Sequence, residues 1–337
     1  MPFINDILNY DSLSIVGLQK NTGKTECLKY VLARLPLERK RVAVTSIGID
    51  GETTDQVTRT QKPEIVLREG MYFGTSEAHY RQRRLVSELI DVSDESTSLG
   101  RVVTAKALTQ GKILLSGPSS TSGLQRWMRD TRRHGIDLAI VDGALSRLSL
   151  ASPAVSQSMI LATGAAYSIN MSQLVQRTAF VVDLINIGMT REGNIALLSP
   201  LESGMWWIDT DGQLHEMEGA TSLSQQVEFH GMDRCATIYV AGALVDSFLE
   251  KLRKNKQLRQ VELVVRDFTK IFVTPQQLRL FEKAGGRIKV LQKSKLIAVT
   301  VNPTSPSGYV LDSEAVCDKI SQAINLPVYD LLKSTDC

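Results

Sequence analysis

The chain has 337 residues, 39 basic against 36 acidic, with 43% apolar and 22% charged residues. That length is long for one domain and comfortable for two, and the composition is that of an ordinary globular chain rather than a disordered one. A net charge of +3 makes no electrostatic case for nucleic acid, and four scattered cysteines without a Cys-x-x-Cys pair suggest neither a disulfide framework nor a zinc site.

The first residues, Met-Pro-Phe-Ile-Asn-Asp, have neither the basic nor the apolar region of a secretion signal. No apolar run reaches the length of a membrane span, so a cytoplasmic protein with no membrane partner is expected. Residues 13–16 read as a buried strand, followed by Gly17-Leu18-Gln19-Lys20-Asn21-Thr22-Gly23-Lys24-Thr25 and a helix over residues 25–36. Strands are predicted at 41–46, 64–68, 112–116 and 137–141, with helices at 76–85 and after the small-residue loop 117–123. Residues 179–187 close this first region. A strand is predicted at 194–198, and residues 206–208 pair with 214–216 through Asp211-Gly212, a tight-turn signal. Strand and helix alternate again from 236: strands at 237–240, 261–265, 288–291 and 296–301, helices at 244–252, 275–282 and 314–324. The alternation predicts an α/β protein with a doubly wound, mostly parallel sheet over 1–187. A hairpin connector follows over 188–235, then a smaller α/β lobe over 236–337. The basic run 251–259 has no interleaved aromatic residues to stack bases, so it reads as the solvated end of a helix and no nucleic-acid partner is expected.

The segment 17–25 is a phosphate-binding loop. A glycine-containing turn between a strand and a helix aims several N–H groups at one point, and the helix adds the positive end of its dipole. Lys24 is suited to neutralising β- and γ-phosphate oxygens, and the Thr25 hydroxyl to ligating Mg²⁺. Gly17, Lys20, Asn21, Thr22, Gly23, Lys24, Thr25 and Glu26 are the expected nucleotide contacts. Asp142 ends an apolar run and precedes Gly143, so it is the candidate carboxylate for Mg²⁺; a helix N-cap is the alternative reading. Asp50, in Gly48-Ile49-Asp50-Gly51-Glu52 past the second strand, is a further candidate for Mg²⁺ or an attacking water, against an ordinary Asp-Gly turn. Glu52 and Asp55 are weaker versions of the same idea. The loops 116–123 and 163–166 face the same side of a parallel sheet and are candidates for a second ligand. Asn302 and Pro303 end a strand and line a base pocket if that strand continues the first sheet. There is no Asn-Lys-x-Asp guanine motif, which favours ATP over GTP. The four histidines have neither metal spacing nor a triad context.

The five residues between Gly17 and Gly23 resemble the phosphate loop of dethiobiotin synthetase and of the cobyric and cobyrinic acid amidotransferases. Val141-Asp142-Gly143-Ala144 looks like their acidic-Gly-Ala strand end, and 160–165 followed by Asn170 is similar to their next strand and loop. The resemblance implies a P-loop NTPase, of the class that also holds the MinD-type ATPases, over residues 1–187. It also implies a homodimer, since such ATPases often work as dimers. The sequence departs from MinD-type loops where Gln19 holds the place of the signature lysine, one position from Lys20. It has no glutaminase-type Cys–His domain. A narrower resemblance runs through Ser14–Gly17, Val141–Ala144, Val240–Leu244 and Val301–Pro306. It is to P-loop proteins associated with lysine 5,6-aminomutase and ornithine aminomutase, and it implies a reactivase-like ATPase with an adenosylcobalamin-dependent aminomutase as partner. The chain has no Asp-x-His-x-x-Gly cobalamin motif. The alternative functions are a small-molecule kinase or ATP-dependent ligase resembling dethiobiotin synthetase, and a non-catalytic nucleotide-binding scaffold.

Overall fold

The computed structural model describes residues 2–47, 63–144, 152, 155–217, 221–223, 229, 232–258 and 260–333. Two compact units make up the chain, one of Met1–Ala179 with Ser294–Cys337 and one of Phe180–Lys293. Up to the division the elements are α1 (Pro2–Ile7), β1 (Ser12–Gly17), α2 (Lys24–Arg34), β2 (Val42–Ser46), β3 (Ile65–Leu67), β4 (Tyr72–Ser76), α3 (Glu77–Arg81), β5 (Ser87–Thr97), β6 (Gly100–Ala107), β7 (Gly111–Ile113), α4 (Thr121–Arg133), β8 (Leu138–Ala144), β9 (Ser158–Gly164) and α5 (Met171–Asn186), within which the division falls. The second unit continues with α6 (Glu192–Leu198), β10 (Met205–Asp209), β11 (Leu214–Glu216), β12 (Cys235–Val240), β13 (Leu244–Val245), α7 (Asp246–Lys254), β14 (Glu262–Val265), β15 (Ile271–Phe272), α8 (Pro275–Lys283) and β16 (Arg287–Val290). The chain then returns to the first unit with β17 (Lys295–Asn302), α9 (Ser313–Ile324) and β18 (Val328–Tyr329).

The first unit is built on a nine-stranded sheet in the order β18-β17-β9-β1-β8-β2-β4-β6-β5. Its pairings are parallel from β18 to β4, and β6 and β5 extend it antiparallel. Every residue of β1 and of β9 is buried. Apolar runs covered on both faces are what central parallel strands require. In β8, Leu138 and Ile140 join one core with Phe3, Leu28 and Leu32, while Ala139 and Val141 join another with Leu124 and Trp127. That alternation sends successive side chains to opposite faces, so α1 and α2 cover one face and α4 the other. In α2 the buried residues Cys27, Leu28, Val31 and Leu32 recur at helical spacing. The fold is α/β with a largely parallel central sheet, as the alternation predicts.

The second unit has a five-stranded sheet, β11-β10-β12-β14-β16, around Leu198, Ile208, Tyr239, Val264 and Leu291. β12, β14 and β16 run parallel, and β10 joins them antiparallel. The predicted hairpin is present, with Trp206 opposite Glu216 and Ile208 opposite Leu214.

Several elements differ from the sequence reading. Residues 194–198 form the body of α6, not a strand: Asn194 and Leu198, the buried residues, stand four apart, the spacing of a helix. The helix expected over 76–85 is only the short α3, and β5 follows with register shifts between Leu89 and Asp91 and between Val92 and Ser96. Those irregularities blur the alternation a regular strand would show. The strand expected at 112–116 is the shorter β7, paired antiparallel with β3. The hairpin at 206–216 is part of the second unit's sheet, because β10 pairs with β12. Residues 294–337 do not share a lobe with 236–293: β17 pairs with β9 along Lys295–Asn302 and so belongs to the first sheet.

Candidate functional site

β1 ends at Gly17 and α2 begins at Lys24, and the turn between them is built by its own side chains. The Thr22 hydroxyl donates to the Gln19 carbonyl at 2.8 Å. Gly17 permits this closure, because a Cβ there would stand 2.7 Å from Thr22 Oγ1. The Leu18 N–H donates to the Ala162 carbonyl at 2.9 Å, tying the start of the turn to β9. Asn21 and Gly23 have left-handed backbones, with φ of 63° and 88°. Left-handed residues within a turn bring successive N–H groups to one side and create an anion-binding concavity. Gly23 is the N-cap of α2 without a side-chain cap, and its carbonyl accepts the Cys27 N–H at 2.9 Å. The first N–H groups of α2 have no intrahelical acceptor, so they and the helix dipole favour an anion at the same place.

Lys24, the first residue of α2, meets Asp142 of β8, the strand beside β1. Its Nζ is 3.0 Å from Asp142 Oδ1, with the two side chains 26% and 17% exposed. Asp142 lies inside β8, opposite Ile15 of β1 and Ser46 of β2, so it is a strand residue and not a helix cap. Its Oδ1 is buried and makes no aligned hydrogen bond; the ammonium contact is an ion pair. An inward carboxylate oxygen short of a hydrogen bond fits a cation ligand. Among the described residues no group of three or more His, Cys, Asp or Glu side chains could hold a metal. Mg²⁺ does not need one, since it is commonly held by one or two protein oxygens together with phosphate and water. Thr25 is half-buried at the second position of α2. Lys20 and Glu26 are exposed, and Glu26 pairs with Lys29 at 2.8 Å. Asp50, with Gly48, Glu52 and Asp55, lies outside the described residues.

Cys27 stands in the first turn of α2 and is fully buried. Burial pushes its thiol up to about 12; a hydrogen bond with Thr300 opposes the shift and the Asp142 charge adds to it. It is a protonated packing residue, not a nucleophile.

β17 brings Asn302 to the turn. Its amide Nδ2 donates to the Asn21 carbonyl at 2.9 Å, and its Oδ1 accepts the Thr304 N–H at 3.1 Å. Pro303 is buried, and its carbonyl accepts the Leu311 N–H at 2.9 Å. A small cavity of about 50 Å³ lies beside them, lined by Thr22, Gly23, Glu26, Thr300, Asn302 and Asp330 among others. The link between Asn302 and Asn21 escapes sequence reasoning, which knows no pairing of residues this far apart.

The two small-residue loops are both pinned to strand ends. A Cβ on Gly117 would lie 2.1 Å from Thr45 Oγ1, and the Gly117 N–H donates to the Ser46 carbonyl at 2.7 Å. Ser116 Oγ is 2.7 Å from both Ser76 Oγ and His79 Nδ1, a buried cluster the sequence does not announce. Gly164 packs against the Asn302 carbonyl, which accepts the Ala165 N–H at 2.9 Å.

No protein-family model matches the chain, and no curated protein matches it. A solved structure that is similar is "Structure of pNOB8 ParA bound to nonspecific DNA", 11% identical, covering 56% of this chain and 72% of that one with a TM-score of 0.27. A likeness of that size carries no argument about this chain's ligands. The expectation of no nucleic-acid partner is withdrawn against that DNA-bound structure, and near-balanced net charge does not by itself exclude one. Net charge averages over the whole surface, whereas contact with phosphates depends on local clusters of basic side chains. Among the described residues no helix is long and apolar enough to cross a membrane.

Proposed function

We propose that the chain binds ATP with Mg²⁺ on residues 17–25 and hydrolyses it as a P-loop ATPase. The observation that carries this reading is the Lys24–Asp142 pair, which joins the first residue of α2 to β8, the strand beside β1, next to a left-handed turn that opens onto the N-terminus of α2. Lys24 holds its ammonium at the mouth of the turn, where its charge serves β- and γ-phosphate oxygens better than a single carboxylate. When phosphate takes Lys24, Asp142 is released as a ligand for Mg²⁺, with the Thr25 hydroxyl as the second protein oxygen. Bound Mg²⁺ supplies neutralisation of charge that develops on the phosphoryl oxygens. The choice of ATP over GTP rests on the missing Asn-Lys-x-Asp motif.

The reading extends to a helper ATPase that acts on a partner enzyme, of the kind that reactivates an adenosylcobalamin-dependent aminomutase. It is supported by the sequence resemblance, with Phe180–Lys293 as the unit that carries the partner surface. A small-molecule kinase or ligase would draw its acceptor site from the loops 116–123 and 163–166. The engagement of Gly117 by β2 and of Gly164 and Ala165 by Asn302 favours connectors instead. The test is a titration of purified protein with ATP, with and without Mg²⁺, followed by phosphate-release assays. Saturable binding with slow basal turnover supports the helper reading. Rapid turnover without a partner rejects it, and no binding at all rejects the nucleotide site.

A further inference from the structure

We infer that Asn302 is a positioning residue for the phosphate loop, a latch that holds residues 21–23 in their anion-binding shape. The inference rests on the nucleotide reading of residues 17–25. It concerns a part of the chain that the phosphate-loop motif does not contain.

Both ends of the Asn302 amide are committed. Thr304 N–H can only donate and the Asn21 carbonyl can only accept, so the two partners fix which amide atom is oxygen and which is nitrogen. The side chain is therefore spent on the loop and on its own turn. The contact continues past the amide. A Cβ placed on Gly23 would lie 3.1 Å from Asn302 Cβ, so Asn302 touches both left-handed residues of the loop. A left-handed backbone is uncommon for a residue with a Cβ, and asparagine is among the few that adopt it readily, so Asn21 suits the conformation that Asn302 anchors.

The direction of the bond matters more than its strength. In a trans peptide the carbonyl and the following N–H point opposite ways. Anchoring the Asn21 carbonyl on Asn302 turns the Thr22 N–H away from Asn302. One hydrogen bond thereby sets the sense in which the loop presents its donors. The anchor itself is firm: Asn302 ends β17, is in register with Gly164 of β9, and accepts the Ala165 N–H through its own carbonyl. Asp142 reaches the site from β8 on one side of β1, and Asn302 reaches it from beyond β9 on the other.

Two variants test the latch. Asn302→Asp keeps the shape and the acceptor for Thr304, but sets an oxygen against the Asn21 carbonyl. Asn302→Ala removes both bonds. Three quantities are read on the whole chain: amide hydrogen exchange of peptides spanning 18–27 without nucleotide, the Kd for a non-hydrolysable ATP analogue with Mg²⁺, and the nucleotide-free Tm. The expected result for Asn302→Asp is exchange and Kd both raised about tenfold, with Tm within about 2 °C of wild type. Unchanged exchange and affinity in both variants overturn the latch, and so does a loss of affinity that only follows a fall in Tm. The exchange measurement needs no nucleotide. If the wild type binds none, the nucleotide reading falls, and exchange alone decides whether Asn302 holds the loop.

Discussion

Asn302 and Asn21 are 281 residues apart in the chain and joined by a 2.9 Å hydrogen bond from side-chain amide to backbone carbonyl. The turn between β1 and α2 is thus held from a distant stretch of sequence.

Lys24→Ala removes the only lysine ammonium placed against Asp142 among the described residues. Charge-assisted hydrogen bonds contribute about 1.5–3 kcal/mol, so ATP affinity should fall about 10- to 100-fold, read by calorimetric titration. The pair is partly open to solvent, so the nucleotide-free Tm should change little. Wild-type affinity in this variant would remove Lys24 from the site.

Asp142→Asn preserves shape and removes charge. Affinity for ATP in the absence of Mg²⁺ should stay within about threefold of wild type, because a negative charge beside the phosphates is not needed to hold them. The gain in affinity on adding Mg²⁺ should disappear. Paired titrations with and without the metal decide the point; a variant that keeps the full Mg²⁺ effect would show that Asp142 is no ligand.

Gly17→Ala should disrupt the turn from within. The new Cβ would fall 2.7 Å from Thr22 Oγ1 and 3.3 Å from the Gln19 carbonyl, so the Thr22–Gln19 bond must break or the strand end must move. Overpacking of this kind costs about 1–3 kcal/mol, measurable as a lowered urea midpoint, and nucleotide affinity should fall with it.

Among the described residues, the thiols of Cys27, Cys235 and Cys317 should be inert in the native protein. Burial raises Cys27 and Cys235 to about 12 and Cys317 to about 11. At pH 8 their thiolate fractions are far below that of an ordinary cysteine, so iodoacetamide should label them slowly until urea unfolds the chain. The same shifts give stability a pH dependence. The unfolded thiols lose their protons first, near the unperturbed value of 9.0, so stability should decline as pH rises from there towards about 12 and be unaffected below it. Rapid labelling of Cys27 at pH 8 would contradict its burial.

What the sequence discloses depends on the distance over which a feature is determined. The strand–loop–helix at Gly17–Lys24 is local: an apolar strand, glycines at the bend and a helix with apolar spacing all lie within one short stretch. Asp142 is legible for the same reason, as the end of an apolar run. β5 and β6 are less so, because an edge pair with two register shifts leaves no clean alternation. The apolar run at 194–198 is too short for periodicity to separate helix from strand, and the buried pair Asn194 and Leu198 decides it only in the folded chain. The return of β17 to β9 is set by pairing across the whole second unit, which no local pattern encodes.

That return has a consequence for how the molecule is made. Residues 17–25 leave the ribosome before β17, and the 114 residues of Phe180–Lys293 come between them before β17 can pair with β9. Until residue 302 has emerged and docked, Asn21 has no partner for its carbonyl and Gly23 has no wall. On the nucleotide reading proposed above, a nascent chain would carry the motif without its latch, and tight ligand capture would report that synthesis has passed the second unit.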